Sequence, residues 1–558
     1  MSATSITLPA PRPSAGTSSA LAAVPVDLSH SPVLGIIGVI LGAGIVTLAG
    51  RLLSLGLADL KGNIGIGSDA GTWIPSAFNV ALMFIGPFSV YLGGLLGPRR
   101  VLLYSAVVFT GISALLPVVH NYDLMIALLV IAGLTSGTFY PLTLTFALKN
   151  IPLRYLALVI ALYATCIEGA VNFAPSIYGF CRNSLSWQWI FWIPALLTPV
   201  MMACIYFGIP ETPKPQTKKQ PPSFMGVLFL SAGFALLYAA LDQGQRLDWW
   251  RSGTFTALFA SGLFLLLCSL IRRLREPNFL VDLPYLRQWN TILLALALFA
   301  YRFVLLATII IIPQSLSVRG LDAQQYGPSV LWTAVFELFL AFVGALFLSK
   351  GFDSRLLMAA GFAAVAFACL VNACYSSAWA PENYFRSELL MAVGQSFAIV
   401  GLVAALVQQA AFSGGLSAPQ RALTFAAFFH TVRLLGGQVG VAFMGHFIAD
   451  REKLHSNLLG LHVQSGSWVT DENLHQLAAG LSAKSSGLMA ATGRAAEIIG
   501  SKLRLQAYSL TFIDAFHLVA WTCAGILLLT ALLRKAPMNF AQISLLQQAF
   551  ISSQRKTS

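Results

Sequence analysis

Charged residues are scarce in this chain of 558 residues: Asp, Glu, Lys and Arg make up 10% of it, whereas hydrophobic residues make up 57%. The mean hydropathy is +0.75, far above that of a water-soluble globular protein, whose surface needs charge. This composition excludes a water-soluble enzyme and indicates a polytopic membrane protein folded as one body.

Acidic residues are fewer than basic ones, 21 against 34, which leaves a net charge of +13. In a soluble protein such an excess would raise the question of nucleic acid. In a membrane protein basic residues gather in cytoplasmic loops, so the excess has a simpler cause and we expect no nucleic-acid partner.

Motifs for the common catalytic chemistries are also missing. The chain has no P-loop, no H-E-x-x-H and no G-x-S-x-G, so it offers no candidate site for ATP hydrolysis or for the commonest hydrolase reactions. The seven cysteines show no disulfide pattern, and the histidines at 455, 462 and 475 are better explained as solvated than as metal ligands. We therefore expect no catalytic residues, cofactor or metal, and transport driven by a gradient.

Long apolar runs alternate with short polar breaks, and each run is close to the 20 residues that cross a bilayer as a helix. Fourteen such spans are predicted, which makes an all-α integral membrane protein. They cover residues 33–57, 72–96, 101–119, 123–148, 155–180, 188–208, 225–241, 253–271, 290–312, 326–349, 356–374, 387–411, 421–447 and 511–533.

An even number of spans places both termini on one side, and we predict that this side is the cytoplasm. The short outer loops then hold only six basic residues: Lys61, Arg182, Arg246, Arg251, Arg319 and Arg386. The inner segments hold nineteen: Arg12, Arg99, Arg100, Lys149, Arg154, Lys214, Lys218, Lys219, Arg272, Arg273, Arg275, Arg287, Lys350, Arg355, Arg421, Arg534, Lys535, Arg555 and Lys556. Because basic residues in short loops resist translocation, this asymmetry supports the orientation.

The domain boundaries follow from the same pattern. A disordered cytoplasmic tail is expected at 1–32, six-helix bundles at 33–208 and 290–533, and a second cytoplasmic tail at 534–558. Residues 209–289 hold a basic, proline-rich linker that looks like a hinge, followed by two inserted helices. The long segment 448–510 carries charges of both signs and is predicted to form amphipathic helices on the outer face.

A few ionisable residues fall inside predicted spans, where a charge costs several kcal/mol unless it faces a cavity or a partner. They are Arg51, Glu168, Arg302, Glu337 and Arg433, with His430 one turn before Arg433. Glu168 is near the middle of its span and is the strongest candidate for proton or substrate handling. The alternative is a buried structural ion pair, for instance with Arg51. For Arg302, Glu337 and Arg433, structural and functional roles stay equally open. His430 could titrate near neutral pH but is better explained as a satisfied interior histidine.

Small residues and one proline mark places where helices can approach or bend. Gly133 and Gly137, and Gly436 and Gly440, put two small residues four apart on one helix face, a spacing typical of close helix packing. Pro175 removes a backbone donor near the end of the fifth span and should bend it. The fifth and thirteenth spans are therefore predicted to move during transport.

Several motifs resemble the major facilitator superfamily, and within it the fourteen-helix drug:proton antiporters of the EmrB-like subgroup. The most specific are Trp187–Phe191 (WQWIF), Leu241–Trp249 (LDQGQRLDW) and Arg433–Gly440 (RLLGGQVG), which includes Gly437. Arg451–His455 (REKLH) and Gln506-Ala507 border the long outer segment as in EmrB-like proteins. The resemblance covers nearly the whole chain.

Other family positions differ. The loop after the second span keeps Gly97, Arg99 and Arg100 but has Gly94 where the family has an aspartate. Ala49 replaces an aspartate of the first span, and Leu129 replaces an arginine of the fourth. Three usually charged positions are therefore neutral, and Glu168 and Glu337 are left as the intramembrane acids for a proton route.

The resemblance implies the major facilitator fold and proton-coupled multidrug efflux by alternating access, with an amphipathic small molecule and protons as cargo. It also implies a bacterial inner membrane, a periplasmic adaptor protein and an outer-membrane channel. The alternatives are a dedicated exporter of one metabolite or siderophore, an importer, and, from other classes, a membrane-embedded enzyme or a passive channel. Counterflow separates a carrier from a channel.

Overall fold

The computed structural model describes residues 31–150, 153–209, 223–275, 287–412, 419–464, 466–482, 487–536 and 542. Within these ranges there is no strand, and fourteen helices are long and apolar enough to cross a membrane. The predicted all-helical fold with fourteen spans is thereby confirmed. The predicted N-terminal tail lies almost wholly outside the described residues, as do most of the linker and of the C-terminal tail.

The spans are numbered 1 to 14 in chain order. Spans 1 to 7 are Pro32–Leu55, Ser68–Leu96, Pro98–Leu115, Tyr122–Ser136 with Phe139–Asn150, Leu153–Ser184, Trp189–Gly208 and Phe224–Gln243. Spans 8 to 14 are Gly253–Arg275, Trp289–Ser317, Ala323–Ser349, Ser354–Asn372, Phe385–Phe412, Pro419–Gly460 and Leu488–Leu532. Short helices at Leu57–Ile64 and Trp468–Leu481 lie between spans.

Two spans are interrupted at prolines. Span 4 breaks after Ser136 because Pro141 has no N–H to donate to the carbonyl of Gly137. Span 9 runs as the helix Trp289–Val304, a π-helical turn at Ala307–Ile311 and a helix at Ile312–Ser317, and the turn directly precedes Pro313. Single π-helical turns and prolines are both recognised sites of kinks in long helices.

The predicted close packing at small residues is confirmed. A Cβ on Gly133 would lie 2.3 Å from the carbonyl oxygen of Phe78 in span 2, so no side chain fits there without moving the two backbones apart. Gly436 and Gly440 likewise pack on the backbone of span 9, at Phe299 and Phe303. Sliding at these contacts stays a prediction.

The segment 448–510 is helical over most of its described residues, as predicted, but two of its helices are continuations of spans. Span 13 continues as one helix to Gly460, and span 14 already begins at Leu488, because charged residues such as Arg451 and Lys453 end the apolar stretch without ending the helix. Between them Trp468–Leu481 packs on span 14 through Ala478, Ala491 and Ala495. We call residues 448–510 the hairpin, the adjoining ends of the spans the hairpin end, and the opposite ends the tail end.

The inserted spans lie beside the remaining twelve. Span 7 packs against span 2 and span 13, and span 8 packs against span 7. Span 5 has its most extensive contacts with span 10, and span 2 meets span 13. Spans 1–6 and spans 9–14 therefore meet along these helices. The exact domain boundaries remain a prediction.

Candidate functional site

Glu168 and Arg302 form a buried ion pair between span 5 and span 9. Nη1 of Arg302 lies 2.9 Å from Oε1 and 3.1 Å from Oε2 of Glu168. The side chains are 3% and 12% exposed, so neither charge has much access to solvent. Because removing one member of such a pair leaves the other charge buried and uncompensated, the pair fixes the two spans relative to each other.

Arg51 is not the partner of Glu168, contrary to the example taken from the sequence. Its Nη2 donates to the carbonyl oxygen of Ile309 in the π-helical turn of span 9, at 2.8 Å. The residue four positions beyond Ile309 is Pro313, which has no N–H, so this carbonyl lacks its ordinary helical donor. Arg51 therefore joins span 1 to the interrupted part of span 9.

Glu337 lies in span 10 and contacts span 5 one helical turn beyond Glu168. It is fully buried, and Nδ2 of Asn172 in span 5 is 3.3 Å from each of its carboxyl oxygens. Glu168 and Asn172 are four residues apart and share one face of span 5. Among the described residues no Lys, Arg or His forms an ion pair with Glu337, so one amide is its side-chain partner.

Arg433 and His430 in span 13 enclose the ring of Tyr140 in span 4. The guanidinium carbon of Arg433 is 4.3 Å from the ring centroid of Tyr140, and the His430 ring is 4.8 Å from it. Nη2 of Arg433 and both ring nitrogens of His430 are buried without a hydrogen-bond partner. These two side chains therefore keep a capacity to bind an acceptor that the described part of the chain does not use.

Glu388 was not among the predicted site residues, because it lies at the predicted start of the twelfth span, 387–411, where a carboxylate can reach water. It is fully buried, and Thr333 in span 10 donates a hydrogen bond to its Oε2. The chain turns into span 12 already at Pro381–Tyr384, so Glu388 lies deeper than expected. Gln395 lies two turns further along span 12, on the same helix face as Glu388, and is also buried. The spacing of these two polar residues in the sequence was the signal that could have indicated a buried polar face.

The hairpin end of the interface between spans 5 and 10 is closed. Arg182 lies 3.6 Å from Asp59 and 3.8 Å from Asp322, which brings together segments next to spans 1, 5 and 10. A Cβ on Gly179 would lie 2.6 Å from the Cα of Gln324, so the two backbones touch. Pro175 lies in the same part of span 5, where span 5 meets span 10.

The family-like residues Gly97, Arg99 and Arg100, which were expected to take part in conformational change, lie at the junction of spans 2 and 3. Gly97 has φ of 89°, a left-handed conformation that glycine adopts without strain. Nη2 of Arg99 donates to the carbonyl oxygen of Tyr206 at 2.6 Å, and its guanidinium lies 5.1 Å from the Tyr206 ring. Arg99 thus fastens the start of span 3 to span 6. The Arg100 side chain is exposed.

This chain is similar to several known proteins. The fatty acid resistance protein FarB of Neisseria gonorrhoeae is 24% identical, over 76% of this chain and 81% of that protein. The multidrug export protein EmrB of Haemophilus influenzae is also 24% identical, over 76% of this chain and 82% of that protein. The human organic anion transporter MFSD10 superposes with a TM-score of 0.49 at 14% identity, covering 86% of this chain and 98% of that structure.

A family model provides the decisive match. The model described as Major Facilitator Superfamily matches residues 39–441, which is well over half of the chain. The resemblance found in the motifs is confirmed by this match and by the relatives above. The protein belongs to the major facilitator superfamily.

Proposed function

We propose that the protein is a proton-coupled secondary exporter of amphipathic small molecules that works by alternating access. The observation that supports this most directly is the buried Glu168–Arg302 pair, which joins span 5 of the first half to span 9 of the second. Major facilitator proteins move two halves against each other around a midplane site. Relatives named for multidrug export and fatty acid resistance support the direction of transport.

Proton coupling is assigned to the acids on the face between spans 5 and 10. When Glu168 is ionised, Arg302 holds it and the hairpin end is closed, as in this structure. Glu168 takes up a proton from the outer side once the hairpin end has opened, which removes its charge and frees Arg302, and it releases that proton toward the cytoplasm after the hairpin end has closed again. Glu337, whose side-chain partner is the amide of Asn172, is the second proton-carrying candidate.

The cargo site is assigned to the cluster of Arg433, His430 and Tyr140. Its aromatic ring suits the apolar part of an amphipathic molecule, and the unpartnered Nη2 of Arg433 suits an anionic or acceptor group. This anion-binding capacity also supports the second candidate function, a dedicated exporter of one acidic metabolite or siderophore. Both candidates place the cargo between spans 4 and 13.

For the cellular setting we propose a bacterial inner membrane with both termini in the cytoplasm. The hairpin then lies in the periplasm, which is the arrangement that the distribution of basic residues favours. Large apolar side chains of the hairpin are exposed: Leu454, Leu458, Leu461, Trp468 and Met489. Apolar surface of this kind marks an interaction site, which supports a periplasmic adaptor protein that leads to an outer-membrane channel.

The experiment that tests export uses inside-out membrane vesicles and a fluorescent amphipathic dye. Acidifying the lumen should drive dye accumulation, and adding dye should make the lumen more alkaline as protons leave. Vesicles without the protein are the control. Dye accumulation that persists after the pH gradient is collapsed would contradict proton coupling, and conduction without saturation or counterflow would indicate a channel instead.

A further inference from the structure

The inserted span 7 ends in a polar contact with both halves of the protein. Oδ2 of Asp242 accepts a hydrogen bond from Ser76 in span 2. Oδ1 of the same carboxylate accepts one from Nε2 of Gln438 in span 13, at 2.9 Å. One side chain of the insert therefore holds one helix from each six-helix half, with one oxygen for each.

The next residue extends this contact on the side of span 2. Nε2 of Gln243 donates to Oγ of Ser76 at 2.6 Å, and its Oε1 accepts from Nε of Arg246 at 2.7 Å. Thr72, one turn before Ser76, donates to the same oxygen at 3.3 Å. Gln243 and Ser76 at the centre of this network are buried, whereas Arg246 at its edge is exposed.

The turn after span 7 also contacts both span 2 and span 13, closer to the hairpin end. The Arg246 guanidinium lies 5.6 Å from the ring of Trp73 in span 2, and the Trp249 ring lies 5.8 Å from His446 in span 13. A Cβ on Gly244 would lie 2.6 Å from the Trp249 ring, so only glycine lets the turn fold back this tightly.

The backbone of the turn is held in a conformation that side chains disfavour. Asp248 and Trp249 have φ of 57° and 51°, in the left-handed region where non-glycine residues persist only when their surroundings hold them. A passive insert would need only apolar packing against its neighbours. Residues 241–249 instead make paired polar and aromatic contacts with spans 2 and 13.

We infer that residues 241–249, which we call the strap, hold spans 2 and 13 together and stabilise the state closed at the hairpin end. When the two halves rock apart at that end, Asp242 must release either Ser76 or Gln438. The two inserted helices thereby acquire a role in setting the balance between the two access states. This role goes beyond the proposed export and depends on neither the cargo nor the proton.

The test measures the separation of spans 2 and 13 in the full-length protein, without any transport assay. Fluorophores are attached through unnatural amino acids at exposed positions 69 and 453, next to the hairpin ends of these spans, so the native cysteines stay in place. Single-molecule energy transfer in nanodiscs gives the populations of short and long distances. The variants are Asp242→Ala, Gln438→Leu, their combination and Arg246→Gln.

We expect the long-distance population to rise relative to the short one by about fivefold for each hydrogen bond lost. The combined variant should rise no further than Asp242→Ala alone, because both changes break the same bond. Arg246→Gln is an exposed change that spares folding and should give a smaller rise. Asp248→Asn is the matched control. Within the described ranges the Asp248 side chain pairs with exposed Arg251 alone, and asparagine tolerates positive φ.

Three results would overturn the role of the strap. They are unchanged distance populations in both Asp242→Ala and Arg246→Gln, a shift of equal size in Asp248→Asn, and full additivity of Asp242→Ala with Gln438→Leu. The role of the strap and the proposed export are tested by separate measurements. If the distances contradict the role of the strap, dye accumulation by the unaltered protein in vesicles still supports export. Conversely, a protein that moves no dye can still show the predicted shift.

Discussion

Asn172 and Glu337 face each other across the interface of spans 5 and 10, with the amide nitrogen of Asn172 3.3 Å from each oxygen of Glu337. Glu168 lies one turn away on the same helix and binds Arg302 of span 9. Span 5 thus presents two acid-containing contacts to the other half of the protein on a single face. Any motion that separates the halves along span 5 must alter both.

The first prediction concerns Glu168→Gln, which keeps the size and much of the hydrogen bonding of the side chain but cannot change charge. Driven efflux should fall to the level of protein-free vesicles. The folded protein, although less stable because the charge of Arg302 is no longer compensated, should still bind cargo and catalyse counterflow. The matched control is Glu382→Gln, an exposed acid in the turn before span 12, which should transport like the unaltered protein. Glu388 cannot serve as that control because it is fully buried. Normal pumping by Glu168→Gln would assign this residue a structural role.

The second prediction uses the partner of Glu168. Arg302→Met leaves the carboxylate buried without its cation and should lower the free energy of unfolding by about 3–5 kcal/mol. Adding Glu168→Gln removes the uncompensated charge and should restore most of the thermal stability without restoring driven efflux. Thermal melts in detergent and vesicle transport measure the two effects separately. Equal stability of Arg302→Met and the unaltered protein would show that the pair does not form.

The third prediction separates Glu337 from Asn172. Glu337→Gln retains an acceptor oxygen for Asn172, so the stability should change by no more than about 1 kcal/mol. If Glu337 carries a proton, driven efflux should be lost, and protons should no longer move when dye is added. Asn172→Ala instead leaves a buried acceptor unpaired and should destabilise the protein by about 1–3 kcal/mol. A Glu337→Gln variant with normal proton movement would remove Glu337 from the route.

Helix count and the candidate acids could be predicted from the sequence, because hydrocarbon imposes length and apolar composition on every span. The partners of those acids could not. Glu168 pairs with a residue 134 positions away, and which arginine faces it depends on how spans 1 and 9 rotate about their axes. Glu388 was missed for a related reason, since its depth is set by a turn at Pro381 and not by the apolar pattern. Asp242 was visible within a family motif, but its two donors lie on helices that only the tertiary fold brings together.

The fourth prediction concerns recognition of the cargo by Arg433. Arg433→Gln should weaken binding of an anionic amphipathic molecule by about tenfold to a hundredfold, the range for a lost hydrogen bond to a charged group. Binding of an uncharged analogue should hardly change. Arg504→Gln in the hairpin, whose side chain is 67% exposed, is the control. Equal weakening for charged and uncharged analogues would indicate a packing role, through the contact with Tyr140, instead of recognition of charge.

The fifth prediction concerns orientation and the hairpin together. Reporter fusions at Lys218 and Gln464 should report the cytoplasm and the periplasm respectively, because the distribution of basic residues favours that orientation. A shared location would overturn the count of spans.

If the hairpin docks an adaptor, replacing residues 461–487 by a short flexible linker should leave dye accumulation in vesicles intact while abolishing efflux from whole cells. The matched variant Trp468→Ser removes one side chain that is 78% exposed and therefore packs in no hydrophobic core. It should weaken efflux from whole cells and leave dye accumulation in vesicles unchanged. Equal loss in vesicles and in cells would show that the hairpin supports the carrier itself and does not dock a partner.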